Sequence, residues 1–282
     1  MRSLQPHGTL VPADRTALDL TKPHELASRL DALRPDIIVN PAAYTAVDRA
    51  EDEREIAFIV NGESPSAMAR WAADHGVPLV HFSTDYVFDG GGTRPWREDD
   101  PTGPLGVYGA SKLAGERAIH RAGGPRLVVR TSWVYAAKGA NFLRTIARLA
   151  GEREELRIVA DQIGAPTSAP WIAETLASIF KRELPDLTAA FERASHSVNI
   201  AAAGETSWHG FAQAIVDSLK RRGVTTKTRS VVPISTKDYP VKAVRPQNSR
   251  LDLSRLKEIF QITPMAWDAL LEFEIDRMLS PS

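Results

Sequence analysis

Two residues at helical spacing could carry acid–base chemistry: Tyr108 and Lys112, in the string YGASK. Their i,i+4 separation places both side chains on one face of a helix. A tyrosine with its ordinary pKa of about 10 is too weak an acid to exchange protons readily at neutral pH. A charge ~4 Å away at an effective dielectric of ~20 contributes about 4 kcal/mol, which lowers that pKa by up to about three units. We therefore expect Lys112 to lower the pKa of Tyr108, so that the phenol can act as a proton donor.

Polar residues directly follow three short hydrophobic runs of the chain. Residues 40–45 follow the first run, 83–86 the second and 131–135 the third. Because ligands bind beyond the carboxyl ends of parallel strands, we expect all three strings to open onto one crevice. The Thr84 hydroxyl could donate to the carbonyl oxygen that Tyr108 protonates, and so polarise that carbonyl. A hydride would have to come from another molecule.

The same residue types also have purely structural interpretations. A Tyr-x-x-x-Lys pair occurs on many helices without a chemical role. Thr84 and Asp85 suit the cap of a turn, and Trp133 suits plain core packing after a buried strand. Arg245 and Arg250 suit solvated loops, although guanidinium groups also bind a diphosphate through paired hydrogen bonds. The sequence alone leaves these alternatives open.

Alternating short β-branched runs and longer amphipathic segments predict an α/β fold with a doubly wound parallel sheet. We expect a smaller C-terminal lobe after about residue 140. The predicted strands are residues 37–39, 77–82, 127–129, 158–159 and 198–200. The predicted helices are residues 64–75, 106–121, 141–153, 170–181, 208–222, 254–260 and 266–278.

Composition excludes several function classes. Lysine plus arginine and aspartate plus glutamate each number 35, so no net charge attracts nucleic acid or an anionic membrane. The absence of cysteine excludes thiolate metal sites and a cysteine nucleophile. The histidines show no metal-ligand spacing, so we expect no catalytic metal, and His81 within a strand is expected to be a satisfied core residue. No apolar run reaches the ~18 residues of a membrane span, and we expect a cytoplasmic protein.

Six strings in order over residues 34–252 resemble the dTDP-4-dehydrorhamnose reductases, a family of extended short-chain dehydrogenase/reductases with a Rossmann-like fold. The strings are residues 40–43 (NPAA), 83–90 (STDYVFDG), 107–116 (VYGASKLAGE), 130–135 (RTSWVY), 161–167 (DQIGAPT) and 245–251 (RPQNSRL). The resemblance implies NADPH- or NADH-dependent reduction of the 4-keto group of dTDP-4-dehydro-L-rhamnose to dTDP-L-rhamnose. It also implies a dinucleotide-binding domain over residues 1–140. Residues 141–282 would then form mainly a substrate-binding lobe, with segments returning to the sheet.

The resemblance also assigns roles to individual residues. Tyr108 would donate the proton, Lys112 would hold the nicotinamide ribose and lower the tyrosine pKa, and Thr84 would be the hydroxyl partner. The implied cofactor-binding residues are Asp19, Leu20, Ala43, Tyr44, Thr45, Phe82, Tyr108 and Lys112. The expected substrate-binding residues are Thr84, Asp85, Trp133, Arg245 and Arg250. The expected partner is a dTDP-sugar, with no nucleic acid and no membrane, and a homodimer is allowed.

The sequence departs from the family pattern at its start. Family members begin with a strand and a Gly-x-x-Gly-x-x-Gly turn that cradles the pyrophosphate at a helix N-terminus. Here residues 2–4 resemble the end of that first helix, residues 9–12 the second strand and residues 14–15 the site that reads the adenosine ribose. We therefore expect the chain as written to bind NAD(P)H weakly. The departure leaves open an inactive fragment or a non-catalytic relative, such as the regulatory subunit of methionine adenosyltransferase.

Overall fold

The computed structural model describes residues 2–280, which form an α/β fold around a parallel sheet. Its strands are β1 (Ile38–Asn40), β2 (Leu79–Thr84), β3 (Arg126–Thr131), β4 (Val134–Tyr135), β5 (Glu155–Val159), β6 (Ile163–Gly164), β7 (Thr167–Ser168), β8 (Ser197–Asn199), β9 (Thr206–Ser207) and β10 (Ser230–Ile234). The main sheet has the order β1-β2-β3-β8, with every neighbouring pair parallel. The other strands form three two-stranded pairs, β5 with β10, β4 with β7 and β6 with β9.

The α-helices cover both faces of this sheet and also pack against the β5–β10 pair. They are α1 (Leu26–Leu33), α2 (Val47–Ala50), α3 (Arg54–Phe58), α4 (Ser64–His75), α5 (Val107–Ala122), α6 (Phe142–Glu152), α7 (Ala169–Glu183), α8 (Leu187–Arg193), α9 (Trp208–Arg221), α10 (Ser254–Phe260) and α11 (Trp267–Leu279). Short 3-10 helices lie at Arg2–His7, Pro23–Glu25, Asp85–Val87, Leu184–Asp186 and Thr236–Asp238, and a π-helical turn lies at Ile59–Glu63.

The core forms two layers because alternate residues of the strands point to opposite faces of the sheet. Leu79 and Val128 pack with the buried side chains of α1, α4 and α5. Val80 and Val129, their neighbours in sequence, pack with α7, α8 and α10 on the other face. A separate cluster joins α6, α9 and α11 to β5 and β10. The predicted doubly wound architecture is therefore confirmed.

Most predicted elements are found within a few residues of their expected bounds, but the strand predicted at residues 9–12 is wrong. That segment has no strand conformation, and Val11 is 61% exposed. A strand needs a hydrogen-bonded neighbour, and among residues 2–280 the only strand that pairs with β1 is β2. Just after this segment, the Asp14 carboxylate accepts from the backbone N–H of Thr16 in a local turn. The predicted strand at 158–159 belongs to the β5–β10 pair rather than to the main sheet.

Candidate active site

Three polar strings meet at the carboxyl edge of the main sheet, as the sequence predicted. β1 ends at Asn40, β2 at Thr84 and β3 at Thr131. In the parallel register, Asn40 lies opposite His81, and Thr84 lies opposite Thr131. The loops that follow these strands therefore lie side by side at the edge where open α/β sheets bind their ligands.

The turn after β2 is built by Thr84. Its Oγ1 accepts from the Tyr86 backbone N–H at 3.2 Å and donates to Asp85 Oδ1 at 3.0 Å, so Thr84 caps the short helix Asp85–Val87. Asp85 is only 2% exposed, and burial raises its pKa to about 6, against the opposing effect of the Ser249 and Thr84 hydroxyls. Its Oδ2 has no hydrogen bond of normal geometry among the described residues. The turn thus holds a carboxyl group that is partly protonated near neutral pH.

Helix α5 begins directly against this turn. It follows Gly106, and its first backbone N–H, that of Val107, donates to Glu51 Oε1 at 2.9 Å. A Cβ on Gly109 would lie 2.2 Å from the Tyr86 carbonyl oxygen, so glycine allows the helix to touch the turn. This contact brings Tyr108 beside Tyr86, with the rings edge to face at 5.5 Å.

Lys112 lies one helical turn beyond Tyr108 and is 2% exposed. Its Nζ donates to the Phe82 carbonyl oxygen at 2.6 Å and lies 3.2 Å from His81 Nε2. Burial lowers the pKa of Lys112 to about 8, which the Glu116 carboxylate partly opposes. The predicted satisfied core histidine is confirmed, since His81 is fully buried and both its ring nitrogens have partners.

The predicted lowering of the Tyr108 pKa is wrong. Burial of the phenol raises the pKa of Tyr108 to about 12, the Thr84 hydroxyl opposes that rise, and the Asp85 carboxylate adds to it. The expectation from helical spacing assumed that Lys112 faces the phenol without competing partners. In the structure its Nζ is instead engaged by Phe82 and His81.

The loop after β1, with Ala43, Tyr44 and Thr45, is held in place by Asn61, which the sequence did not single out. Asn61 is fully buried in the π-helical turn. Its Oδ1 accepts from the Tyr44 backbone N–H at 2.8 Å, and its Nδ2 donates to the Tyr44 carbonyl and to Ser111 Oγ, each at 3.0 Å. The loop is thereby tied to α5. No pattern in the sequence reveals this role, because it depends on residues 17 and 50 positions apart.

Asp19 and Leu20 lie on the segment before α1. The Asp19 carboxylate accepts from the backbone N–H and the hydroxyl of Thr21, at 3.0 and 2.8 Å. The Leu20 carbonyl accepts from Ser64 Oγ at 2.6 Å, at the first residue of α4. This segment is thus fixed against the helix layer that covers one face of the sheet.

Trp133 follows β3 in the left-handed conformation, at φ 49°. Its ring stacks on Trp208 of α9, with centroids 3.7 Å apart and planes within 10°. Gly164 leaves room for the opposite side of the ring, since a Cβ there would lie 2.7 Å from Trp133 Cε2. The indole is therefore packed between β6 and α9, yet remains partly exposed.

Both candidate diphosphate-binding arginines already have carboxylate partners. Arg245 Nη2 donates to Asp48 Oδ2 at 2.7 Å, and Arg250 Nε donates to Glu205 Oε2 at 2.5 Å. Burial raises the pKa of Tyr86, and the charge of Arg245 opposes that rise. A substrate anion would have to compete with these two carboxylates.

Two further findings concern residues 2–280. Their histidine, aspartate and glutamate side chains form no group of three that could hold a metal ion. Within the same range, no helix is both long and apolar enough to cross a membrane.

Comparison with known proteins assigns the chain to a family. The family model described as the RmlD substrate binding domain matches residues 1–280. The chain belongs to the RmlD family of dTDP-4-dehydrorhamnose reductases. It is 47% identical to the reductase of Burkholderia thailandensis over 94% of this chain and 90% of that protein. It is 39% identical to the reductase of Escherichia coli K12 over 99% of this chain and 92% of that protein.

Solved structures of this RmlD family have the same fold. A dTDP-4-dehydrorhamnose reductase from Clostridium acetobutylicum superposes with a TM-score of 0.86 at 29% identity, covering 99% of this chain and 95% of that one. The reductase of Bacillus anthracis, solved in complex with NADP, superposes with a TM-score of 0.84 at 31% identity, covering 98% and 94%.

Proposed function

We propose that the chain reduces the 4-keto group of dTDP-4-dehydro-L-rhamnose to dTDP-L-rhamnose, with NADPH or NADH as the reductant. Membership of the RmlD family supports this reaction. The observation that carries it is the contact of α5 with the turn after β2, which places Tyr108 beside Thr84 at the carboxyl edge of the sheet. The non-catalytic alternative gains no support, because the tyrosine, lysine and threonine are all present and the relatives at 47% and 39% identity are reductases.

The reaction adds a hydride to C4 of the sugar and a proton to its oxygen. The nicotinamide supplies the hydride when it is bound. The Tyr108 hydroxyl donates the proton to the oxygen. The Thr84 hydroxyl exchanges its hydrogen bond to Asp85 Oδ1 for one to the same oxygen as negative charge develops. Lys112, as an ammonium, stabilises the tyrosinate that remains.

The residues of the crevice suit the nicotinamide-ribose half of the cofactor. An ammonium at Lys112 has three protons, and Phe82 and His81 accept at most two of them, which leaves one for a ribose hydroxyl. We assign Ala43, Tyr44 and Thr45 to the same half, and Asp19 and Leu20 to the adenosine side. Among residues 2–280, no strand runs through a short glycine-rich turn directly into an α-helix, the arrangement that cradles a pyrophosphate.

We assign the substrate to the C-terminal side of the crevice. Asp85 offers its free Oδ2 to a sugar hydroxyl. Trp133, supported by Trp208, offers an exposed ring edge to the sugar or base. Arg245 and Arg250 are assigned to the diphosphate, which would replace a carboxylate partner of each guanidinium.

The remaining proposals concern organisation. We propose that residues 1–140 bind the dinucleotide and that residues 141–282 mainly bind the substrate. A cytoplasmic location suits a chain without cysteine. A homodimer is consistent with the apolar Phe273 on α11, which is 56% exposed, and sedimentation equilibrium would measure that association.

Replacement of Tyr108 tests the proposed function. Tyr108→Phe keeps the ring and removes the proton donor, so kcat should fall by about 10²-fold or more, while KM for the sugar changes little. Steady-state kinetics with dTDP-4-dehydro-L-rhamnose at saturating NADPH measures this. Tyr239→Phe is the matched control, because Tyr239 is 56% exposed and its replacement removes the same hydroxyl from a surface position. Equal turnover in wild type and Tyr108→Phe would remove Tyr108 from the mechanism.

A further inference from the structure

A buried chain of hydrogen bonds crosses from the sheet to the helix that carries Tyr108. Asn40 at the end of β1, His81 in β2 and Lys112 in α5 are 5%, 0% and 2% exposed. Asn40 Nδ2 lies 3.1 Å from His81 Nδ1, and His81 Nε2 lies 3.2 Å from Lys112 Nζ. At the far end of the chain, the Ala42 backbone N–H donates to Asn40 Oδ1 at 3.2 Å. No step of the proposed reaction uses His81 or Asn40.

The donors and acceptors of this chain constrain one another. With Asn40 Oδ1 accepting from Ala42, its amide NH₂ donates to His81 Nδ1, which must then be unprotonated. A neutral imidazole carries its proton on the other nitrogen, so Nε2–H donates to the lone pair of a neutral Lys112 amine. The opposite state is an ammonium at Lys112 that donates to Nε2. It needs the proton on Nδ1 and the Asn40 amide turned, so that its oxygen accepts from Nδ1–H instead of from the Ala42 backbone N–H.

We propose that His81 is a positioning residue for Lys112, and that its neutral tautomer, linked to the orientation of the Asn40 amide, changes together with the charge of Lys112. His81 carries its proton on Nε2 when Lys112 is a neutral amine, and on Nδ1 when Lys112 is an ammonium. The Phe82 carbonyl accepts from Nζ in both states and keeps the nitrogen in place. The imidazole itself stays uncharged, because burial and the neighbouring Lys112 hold the pKa of His81 well below its ordinary value.

The charged groups around Lys112 allow it to exist as either an amine or an ammonium. On its own helix, Glu116 favours the ammonium, but that carboxylate is held in a buried ion pair with Arg130 of β3 at 2.7 Å. Tyr108 lies one turn away on the same helix, β2 contributes His81, and β1 contributes only the uncharged Asn40 amide. With a pKa of about 8, Lys112 therefore exists in both charge states near neutral pH.

The role of this link in catalysis rests on the proposed function. The link between the His81 tautomer and the charge of Lys112 does not. Only the ammonium stabilises a tyrosinate at Tyr108. A tautomer that favours the ammonium would thus prepare the site for proton transfer, and one that favours the amine would leave Tyr108 a very weak acid.

Nitrogen NMR of the unmodified protein tests the link without cofactor or substrate. The ¹⁵N shifts of His81 report which ring nitrogen carries the proton, and the ¹³Cε shift reports the charge of Lys112. We expect His81 to pass from Nδ1–H to Nε2–H, without becoming charged, at the pH where Lys112 loses its proton. A tautomer that stays constant while Lys112 titrates would overturn the proposal, whatever the enzyme activity is.

Two substitutions test the route through the imidazole. Asn40→Asp supplies only acceptor oxygens, fixes the Nδ1–H tautomer and should raise the pKa of Lys112 by about one unit or more. A new carboxylate also acts directly through its charge, so the same change is made in a His81→Phe background. In the His81→Phe background we expect less than about half of the rise in the Lys112 pKa, because the imidazole that transmits it is absent.

The control is His75→Phe, since His75 stacks on Trp71 in α4, away from Lys112. It should leave the Lys112 titration unchanged. An equal rise from Asn40→Asp in both backgrounds would show that the new carboxylate acts by charge alone and would contradict a role for His81. Near-UV circular dichroism checks folding, and the NMR measurement on the unmodified protein decides the matter if a variant fails to fold.

Discussion

At the scale of residues, the site contains polar groups whose charged forms are poorly solvated. Tyr108, Lys112 and Asp85 all have pKa values that burial moves toward the uncharged form. The burial of such groups costs stability, and clusters of them occur at functional sites. The sequence predicted where these residues lie but not their pKa values, because burial depends on distant parts of the chain.

Asp85 provides a pH-dependent test of this cost. Its pKa is about 6 in the folded protein and about 4 in an unfolded chain, so the folded state binds the proton more tightly. This group therefore lowers the free energy of unfolding as the pH rises from about 4 to above 6. Asp85→Asn should stabilise the protein by about 1–3 kcal/mol at pH 8 and by little at pH 4.

Urea unfolding of wild type and Asp85→Asn at both pH values measures the difference. The control is Asp74→Asn, at an exposed position in α4, which should change stability by less than about 0.5 kcal/mol. A loss of stability in Asp85→Asn at pH 8 would show that the Asp85 carboxylate is well satisfied.

The two arginines give a prediction about ligand binding. If Arg245 and Arg250 hold the diphosphate, Arg245→Ala and Arg250→Ala should each weaken dTDP binding by about 10-fold or more, since each loses a charge-assisted hydrogen bond. Isothermal titration calorimetry with dTDP measures this. Arg229→Ala is the control, because the Arg229 side chain is 81% exposed. Unchanged affinity in both crevice variants would place the diphosphate elsewhere.

At the scale of elements, α5 determines how the site is assembled, and glycines determine how closely α5 approaches its neighbours. A Cβ on Gly115 would lie 2.2 Å from the Asn61 carbonyl oxygen, whereas one on Gly151 in α6 would meet nothing within 4 Å. Both positions gain about 1 kcal/mol of helix propensity when glycine becomes alanine. Only the alanine at position 115 would also clash with the backbone of Asn61.

The two alanine variants should therefore differ in sign. Gly115→Ala should lower the free energy of unfolding by about 1–3 kcal/mol, the usual cost of overpacking. Gly151→Ala should raise it by up to about 1 kcal/mol. Chemical denaturation of both variants makes the comparison. A stable Gly115→Ala protein would show that α5 can shift away from the π-helical turn at little cost.

Elements with strong local signals were predicted well. Helix α4 has its expected bounds of Ser64–His75, because Gly76 ends it in the left-handed conformation. Residues 9–12 were predicted wrongly, because a β-branched run becomes a strand only beside a partner. Trp133 stacks on Trp208, 75 positions further along the chain, and no periodicity in the sequence predicts such a contact.

At the scale of the whole molecule, the sheet brings separate strings of the sequence together. Parallel order in β1, β2 and β3 is enough to place Asn40, Thr84 and Thr131 at one edge. The sequence could predict this meeting, since it follows from strand-helix-strand connectivity. It could not predict that Lys112 binds Phe82 and His81, because that detail depends on how deeply α5 packs.

The central claim is that this crevice transfers a hydride to C4 of a dTDP-sugar while Tyr108 supplies a proton. The most direct measurement is incubation of the protein with dTDP-4-dehydro-L-rhamnose and NADPH carrying deuterium at both C4 positions, followed by NMR and mass spectrometry of the sugar. We predict dTDP-L-rhamnose with one deuterium at C4, formed much more slowly by Tyr108→Phe. Product without deuterium, or equal product from Tyr108→Phe, would contradict the account.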